Sequence, residues 1–379
     1  RSTRFITQTT VKRSGDYYLA KSPKGENYRL HLAKSRHLVG IRTTRGIRES
    51  NEDSYQALVL DLNDSESDSK EQSILGNGTK LHEEEGKKNQ ICYFAIFDGH
   101  GGLQCADYLT ASLHKRIEDV QVSDADDVVL RWRNIGGYFR KFRPPVLAPL
   151  LSPETIQPNI KNRTLRTSDG SGERKASRKY TSTTLSSSPP LSSLPPLSSL
   201  TPSSSDLSET SLPTELTLEQ RLTVAFLKID LELMESIPHS VGSTATVALI
   251  RTLDGHPFWS GQELEIAIAH VGDTRALLCD VPSGNAISLT FDHHPSAITE
   301  HDRLRKSGGY IITDSFGSEM FLGRLANTRA MGDSRMKKYG ISAEPEIVIN
   351  TVKGGDTAFL VLVSDGVTSV LSNQEIVDC

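Results

Sequence analysis

Three apolar runs of this sequence each end at an aspartate, and carboxylates placed at strand ends can bind a divalent cation. The runs are residues 91–97, 264–271 and 359–363, and the aspartates that follow them are Asp98, Asp273 and Asp365. Each aspartate alone is also compatible with an ordinary turn, because Asp is favoured in turns. If the three strand ends meet, their oxygens form a ligand set that suits Mg²⁺ or Mn²⁺.

A further acidic pair, Glu52-Asp53, follows Arg48 and precedes a predicted strand. It adds carboxylate ligands of the same kind, or it is a solvated charged turn. Ligands of the zinc type do not compete, because the four cysteines stand apart without a CxxC pair. This cysteine spacing excludes a zinc ribbon and a disulfide scaffold, and it favours a reducing compartment.

The composition excludes several classes of protein. The 379 residues carry a net charge of −4, which argues against a strongly basic nucleic-acid-binding protein. No apolar run approaches the roughly 18 residues of a membrane-spanning helix. Apolar residues make up 36% of the chain, which is slightly low even with the 28 glycines included. This indicates a folded core diluted by polar segments.

The periodicity of apolar residues predicts many strands and few helices. Strands are predicted at 55–60, 91–97, 245–250, 264–271, 276–279, 310–313, 347–349 and 359–363. Helical spacing predicts helices after Gly102, after a capping box at Thr217-x-x-Gln220, and over about 296–306. Because no regular βαβ alternation appears, an antiparallel α+β architecture is favoured over a doubly wound sheet.

Three segments are predicted to lie outside the folded core. Residues 1–37 form a basic N-terminal extension, whose start has the composition of a mitochondrial presequence or of a disordered basic terminus. Residues 63–89 are polar without periodicity. The segment 119–214 is a second insertion, of which 119–180 are ambiguous, with helical pieces around 128–142 and then basic loop sequence. Within this last segment, 181–213 are predicted to be disordered, because Ser, Thr and Pro make up 24 of the 33 residues.

The acidic residues belong to short motifs whose combination is specific. The motifs are Arg48-x-x-x-Glu52-Asp53, Phe97-Asp98-Gly99-His100-Gly101-Gly102, Gly242-Ser243-Thr244-Ala245, Gly272-Asp273-Thr274-Arg275, Asp292-His293-x-Pro295, Thr328-Arg329-Ala330-Met331-Gly332-Asp333, Glu344-Pro345-Glu346 and Ser364-Asp365-Gly366. Each motif alone is weak. Together and in this order, they resemble the metal-dependent protein phosphatases of the 2C type. The resemblance covers roughly 38–118 and 215–379, and it leaves 63–89 and 119–214 as insertions.

This resemblance implies a four-layer α/β/β/α sandwich, in which two antiparallel sheets are flanked by helices. It implies one catalytic domain over 38–379, incomplete at its C-terminus. It also implies a reaction, the hydrolysis of phosphoserine or phosphothreonine on proteins. In this family, a water activated by a binuclear Mg²⁺ or Mn²⁺ centre attacks phosphorus directly, without a phosphoenzyme.

The resemblance also assigns roles to residues. The implied metal positions are Asp98, which bridges both metals, Gly99 through its carbonyl, Glu52 at the second metal, Asp53 through ordered waters, Asp365 at the first metal, and Asp273 at a weaker third site. Arg48 would clamp the substrate phosphate with its fork of donors. His100 resembles the proposed general acid for the leaving alkoxide, or it is a turn histidine that orders a water. Asp333 and Arg329 match a motif with a more structural role.

Departures from the family pattern leave other functions open. A closing strand with an Asp-Asn pair has no counterpart after Asp365, and Ser369 stands where many relatives carry an aspartate. A capping box at Ser372-x-x-Glu375 predicts a helix that begins about one turn before the last residue, which suggests a fragment of a longer chain. The alternatives are a catalytically silent phosphatase-like binding or regulatory module, and a phosphatase for small phosphomonoesters.

Further motifs resemble the mitochondrial members of the family, which act on 2-oxo acid dehydrogenase complexes. These motifs are Gly323-Arg324-Leu325-Ala326, Gly340-Ile341-x-Ala343-Glu344-Pro345-Glu346 and Ala225-Phe226-Leu227-x-Ile229-Asp230. The sequence therefore predicts a monomer in the mitochondrial matrix, with phosphorylated proteins, including such a complex, as partners. The cytosol or the nucleus is the alternative location.

Overall fold

The computed structural model describes residues 15, 17–22, 25–62, 90–156, 213–305, 310–313, 317 and 319–379. The predicted polar insertion 63–89 and nearly all of the predicted disordered tract 181–213 lie outside the described residues. Among the residues that are described, no helix has both the length and the apolar character needed to cross a bilayer.

Fourteen strands are assigned within these ranges. They are β1 (Tyr17–Lys21), β2 (Asn27–His31), β3 (Asp53–Asp61), β4 (Gln90–His100), β5 (Gly242–Ser243), β6 (Ala245–Thr252), β7 (Glu263–Val271), β8 (Arg275–Asp280), β9 (Ala286–Ser288), β10 (Ile311–Thr313), β11 (Glu319–Phe321), β12 (Met331–Gly332), β13 (Glu346–Lys353) and β14 (Thr357–Val363). Each of the eight predicted strands overlaps one of them.

Eight α-helices are assigned within the same ranges. They are α1 (Gln104–Asp119), α2 (Asp124–Ile135), α3 (Pro153–Ile156), α4 (Leu218–Ser236), α5 (Ile298–Arg305), α6 (Ser334–Lys337), α7 (Asp365–Thr368) and α8 (Asn373–Asp378). Short 3₁₀ turns lie at Leu32–Lys34, Gly137–Lys141 and Pro145–Leu150. Both predicted capping boxes form, with Thr217 bonded to the N–H of Gln220 and Ser372 bonded to the N–H of Glu375.

Two antiparallel sheets form the centre of the fold, as the sequence predicts. The larger has seven strands in the order β12-β5-β4-β6-β7-β13, with β3 paired to β4, and the smaller has the order β14-β8-β9. Alternate residues of β6 divide between two apolar cores. Val247 and Leu249 face the helices, whereas Ala248 and Ile250 face the smaller sheet. The α+β sandwich is therefore confirmed.

The helices cover the outer face of the larger sheet. Residues from α1, α2 and α4 share one core with the sheet, and the buried positions of α1 follow the predicted spacing Ala106, Leu109, Leu113, Ile117. On the smaller sheet, the short helix α8 lies against β8 and β9. The order of layers in the described residues is therefore helix, sheet, sheet and one short helix.

Two parts of the predicted peripheral segments belong to the fold. Within the predicted extension 1–37, β1 and β2 form a hairpin whose Tyr18 is buried against Phe258, with ring centroids 5.5 Å apart. Composition missed this hairpin, because the basic residues obscured the alternation of its apolar ones. Within the predicted insertion 119–214, α2 buries Trp132 against Phe139, and the Trp132 indole donates to a carbonyl of α4. The hairpin and residues 124–156 therefore pack against the folded core.

A buried histidine on α1 gives the stability of this fold a pH dependence. His114 packs against Tyr93, and burial, with the charge of Lys115, lowers the pKa of His114 from 6.5 to about 4. A histidine whose pKa is depressed in the fold contributes stability above pH 6.5, which is lost as pH falls toward 4. Between pH 6.5 and 4, we expect the free energy of unfolding to fall less in His114→Leu than in the unsubstituted protein, by at most about 3 kcal/mol.

Urea unfolding of the protein and of His114→Leu, at pH values from 6.5 down to 4, measures this difference. Identical pH slopes for the two proteins would contradict the assignment of a neutral, buried His114.

Candidate functional site

The strand ends bring four of the predicted acidic residues together at one end of the sandwich. Asp53 at the start of β3 lies opposite Asp98 near the end of β4. The hydroxyl of Ser364, which caps α7, donates to the Asp53 carboxylate at 3.0 Å, and it thereby ties the end of β14 to the start of β3. Asp365 follows as the first residue of α7, and its carboxyl group shares a hydrogen bond with that of Asp98.

Asp98 lies at the centre of this acidic group. Burial, together with the charges of Asp365, Asp53 and Asp273, raises the pKa of Asp98 to about 8. A carboxyl group surrounded by three others resists ionisation, because each added negative charge is repelled in a poorly solvated place. The site therefore favours the binding of positive charge.

The backbone of Asp98 is held on both sides. Its N–H donates to the Thr244 hydroxyl at 3.0 Å, and its carbonyl accepts from the Thr244 N–H at 2.9 Å and from the Ser243 hydroxyl at 3.1 Å. These bonds come from the Gly242-Ser243-Thr244-Ala245 motif, in which β5 pairs with the end of β4. The motif thus fixes the position of the acidic strand end.

Gly99 brings Glu52 against the same strand end. The Gly99 N–H donates to the Glu52 carbonyl at 3.2 Å, and a methyl group on Gly99 would lie only 2.7 Å from that carbonyl oxygen. Any larger residue at 99 would push the Glu52 backbone away. The close approach explains why glycine follows Asp98 here.

Asp273 stands next to the acidic group with partners of its own. Its carboxylate is bonded to the His294 ring at 3.3 Å. Burial raises the pKa of Asp273, but hydrogen bonds from His294 and Asn327 outweigh this effect and hold the pKa below its usual value. Asp273 is therefore ionised.

His100 and Asp333 form a close pair beside these carboxylates. His100 Nε2 lies 2.8 Å from Asp333 Oδ2, and the Asp333 side chain is 5% exposed. Burial lowers the pKa of His100, but the hydrogen bond and charge of Asp333, with the charges of Asp98 and Asp273, outweigh it and raise the pKa. Asp333 takes a left-handed backbone conformation with φ of 48°. The pair is thus held by a backbone shape that non-glycine residues rarely adopt.

The pair leaves no room for a side chain at Gly242. A methyl group there would overlap both the Asp333 carboxylate and the His100 ring. We expect Gly242→Ala to separate the pair, to lower the pKa of His100, and to destabilise the fold by about 1–3 kcal/mol through overpacking.

An NMR titration of the imidazole resonances and urea unfolding measure these two effects. The matched control is Gly40→Ala, because a methyl group on Gly40 meets nothing within 4 Å. An unchanged His100 titration in Gly242→Ala would contradict the packing described here.

Arg48 lies apart from the carboxylates. It sits on the exposed loop before β3, where the Arg45 guanidinium donates to the Arg48 carbonyl at 2.6 Å. The Arg48 guanidinium forms no ion pair with a described residue, so it is free to meet a ligand.

A cavity of about 550 Å³ adjoins Asp53 and Ser364. The loop 37–43 forms one wall, and Phe359 on β14 contributes to another. It offers an approach to the acidic strand ends from between the two sheets.

Several supporting residues were not predicted from the sequence as part of the site. Asp333 was expected to be structural, yet it contacts His100 directly. Ser364 and His294 lie within two of the sequence motifs. The motifs do not indicate the bond of Ser364 to Asp53 or the bond of His294 to Asp273. No local pattern could have indicated these contacts, because each joins residues far apart in the chain.

The described side chains form no group of three or more His, Cys, Asp or Glu arranged to hold a metal ion.

Comparison with known proteins identifies the family. The family model described as "Protein phosphatase 2C" matches residues 150–379, which is more than half of the chain. The chain belongs to the protein phosphatase 2C family. A curated member from Schizosaccharomyces pombe, "Protein phosphatase 2C homolog 4", is 31% identical over 293 residues, which cover 76% of this chain and 61% of that protein.

A second member of the family, "Protein phosphatase 1K, mitochondrial" from Xenopus laevis, is 40% identical over 168 residues, which are 42% of each chain. The chain therefore spans 61% and 42% of the lengths of these two relatives. Among solved structures, the serine-threonine phosphatase 2C of Toxoplasma gondii aligns with a TM-score of 0.48 at 17% identity, covering 87% of this chain and 78% of that one.

Proposed function

We propose that this chain carries the catalytic site of a metal-dependent protein serine/threonine phosphatase. The observation that carries the proposal is the convergence of Asp53, Asp365 and Asp273 on the partly buried carboxyl group of Asp98. Membership of the protein phosphatase 2C family supports the same reaction.

The donors at this strand end suit Mg²⁺ or Mn²⁺. They are all oxygens, and the repulsion that raises the pKa of Asp98 would be relieved by a cation in place of the proton. The residues proposed to hold the cations are Asp98, Asp365, Glu52, Asp53 and the Gly99 carbonyl, with Asp273 at a third, weaker position. When bound, such cations neutralise charge on a phosphoryl group and lower the pKa of a water.

The protein side chains position the substrate and move the proton. Arg48 offers a fork of donors that matches two phosphate oxygens, and its exposed position allows it to close on the phosphate. His100 has Nε2 bonded to Asp333, so we propose that Nδ1 delivers the proton to the leaving oxygen of serine or threonine. The raised pKa of His100 keeps that proton available.

Substrate and cation dependence test this proposal together. Hydrolysis of a phosphothreonine peptide should require added Mn²⁺ or Mg²⁺, should stop with a chelator, and should exceed the hydrolysis of sugar phosphates under the same conditions. Faster turnover of sugar phosphates would favour a phosphatase for small phosphomonoesters. No turnover of either substrate by the full-length protein would favour a silent binding module.

We further propose a mitochondrial location, with a 2-oxo acid dehydrogenase complex among the substrates. The support is one relative with a mitochondrial name and the basic, acid-poor composition of residues 1–13. A fluorescent tag at the C-terminus of the full-length protein tests the location. Signal in the cytosol or nucleus, without overlap with a mitochondrial marker, would contradict it.

A further inference from the structure

A strongly basic stretch interrupts this slightly acidic chain. Residues 128–153 contain five arginine or lysine residues and no acid, although the whole chain has a net charge of −4. Most of the stretch lies before residue 150, where the match to the family model begins. The structure describes all of it, as α2 and the turns that follow.

Two of the five cations are used within the fold. Arg131 pairs with Glu235 at 2.8 Å, and Arg133 donates to the carbonyls of Phe142 and Thr155 at 2.8 and 2.6 Å. The other three cations are the exposed side chains of Arg140, Lys141 and Arg143, and none of them forms an ion pair with a described residue. Their charge is therefore available to a partner.

Two of these cations, Lys141 and Arg143, line a concave site. A cavity of about 540 Å³ opens here, and its lining includes Tyr138, Lys141, Phe142, Arg143, Pro145 and Glu344. The lining thus combines two free cations, aromatic and apolar surface, and one carboxyl group. This mixture of groups fits a short segment of polypeptide better than the phosphate groups of a membrane surface or of nucleic acid.

The cationic wall is held rigidly. The Tyr138 N–H donates to the Lys338 carbonyl at 3.0 Å, and Phe142 packs on the ring of Trp132, with centroids 5.5 Å apart. On the opposite side, Arg329 donates to the Glu344 carbonyl at 3.0 Å. A wall fixed in this way loses little conformational entropy when it binds a partner.

The Glu344 carboxyl group does not cancel the charge of the wall. Burial raises the pKa of Glu344, although the charges of Arg329 and Arg303 lower it in part. A carboxyl group whose ionisation is disfavoured repels an incoming anion less, and it can bond a peptide N–H or an acidic side chain.

The cavity lies within reach of the candidate site through one short helix. Asp333, which contacts His100, is followed by α6 and then by Lys338, whose carbonyl holds Tyr138. The chain from Asp333 through the four residues of α6 to Lys338 spans on the order of 10 Å. An extended peptide covers such a distance with about three residues.

We propose that this cavity is a docking site for an acidic segment of the substrate protein, close in sequence to its phosphorylated residue. That the bound segment belongs to a substrate rests on the proposed phosphatase function, whereas the binding of an acidic segment does not. Arg140, Lys141 and Arg143 attract the acidic side chains, and Tyr138 and Phe142 pack against the backbone of the segment. Nucleic acid or an anionic membrane would meet the same cations, but a concave pocket with a carboxyl group in its lining fits neither well.

Binding is measured apart from turnover, with a fluorescein-labelled oligoglutamate peptide in an anisotropy titration of the full chain. The test variant carries Arg140→Glu, Lys141→Glu and Arg143→Glu, and the control carries Lys21→Glu, Lys34→Glu and Arg36→Glu, three exposed cations elsewhere. We expect salt-sensitive binding that the test variant weakens about tenfold or more and the control leaves unchanged. Absence of binding, or an equal loss in the control, would overturn the proposal.

Turnover gives the second readout. A phosphothreonine peptide flanked by glutamates should show a lower KM than the same peptide flanked by glutamines, and the test variant should erase this difference. The kcat, and the hydrolysis of para-nitrophenyl phosphate, should stay unchanged. If no phosphate ester is hydrolysed, the proposed function fails while the anisotropy titration still decides the docking site.

If charge reversal lowers the melting temperature, the double variant Lys141→Gln with Arg143→Gln is used in the same two measurements, because it removes the charges without reversing them.

Two other ligands complete the test. Phosphatidylcholine vesicles containing phosphatidylserine, and a single-stranded oligonucleotide, are titrated under the same conditions. Tighter binding of either than of the acidic peptide, lost in the test variant, would overturn the proposal in favour of a membrane or nucleic-acid surface.

Discussion

Replacing Asp98 by asparagine is expected to lower kcat for a phosphothreonine peptide by about a thousandfold or more, while the fold is kept. Asparagine preserves the size of the side chain and removes its charge. The hydrogen bonds that fix residue 98 come from Thr244 and Ser243 to the backbone, so they do not depend on the carboxyl group. Because the partly buried carboxyl group of Asp98 is repelled by three other acids, its replacement should not lower the free energy of unfolding measured without added metal.

A matched control separates this effect from a general loss of charge. Asp356 is exposed in the turn between β13 and β14, at the opposite end of β14 from Asp365. Asp356→Asn should keep full activity. Turnover by Asp98→Asn within tenfold of the unsubstituted protein would contradict the assignment of Asp98, since a shared metal ligand cannot be removed at so small a cost.

Lys337→Met is expected to destabilise the protein by about 3–5 kcal/mol. Lys337 and Asp230 are both fully buried, with Nζ and Oδ2 2.7 Å apart. Lys337 also donates to the Ala330 carbonyl at 2.7 Å, and Asp230 accepts from the Gly332 N–H at 2.6 Å. The pair joins α4 to the segment that carries Asp333. Without the lysine, an uncompensated carboxylate is left in the core.

Urea unfolding measures this loss, and two further variants interpret it. Lys338→Met, at the exposed neighbouring position, should change the free energy of unfolding little. The double replacement Asp230→Leu with Lys337→Met should recover part of the loss, because an apolar pair carries no buried charge, although the Gly332 N–H then lacks its acceptor. A loss below about 1 kcal/mol in Lys337→Met would mean that the ion pair does not hold this segment.

The sequence predicted those features that depend on local pattern. Alternation in 55–60 and 91–97 indicated β3 and β4, and the capping boxes at Thr217 and Ser372 marked the starts of α4 and α8. The acidic residues next to apolar runs indicated a cation site only on the condition that the strand ends meet. Because β3 and β4 are antiparallel, the start of one lies beside the end of the other, and so Asp53 lies opposite Asp98.

Features that depend on tertiary contacts were not predicted. The bond between His100 and Asp333 joins residues 233 positions apart, so no periodicity or spacing reveals it. The basic composition of 1–37 obscures the alternation of the hairpin of β1 and β2, and the burial of Tyr18 there depends on Phe258 in a distant loop. The helical pieces predicted around 128–142 remained ambiguous, since Trp132 finds its partner on α4 only in the folded protein.

Binding of Mn²⁺ to the unsubstituted protein and to Asp98→Asn tests the central claim most directly. The electron paramagnetic resonance signal of free Mn²⁺ reports how much of the ion remains in solution as protein is added. We expect that the protein removes Mn²⁺ from solution and that Asp98→Asn does not, because every proposed cation position shares or adjoins this carboxyl group. Equal Mn²⁺ binding by the two proteins would contradict the proposed metal site.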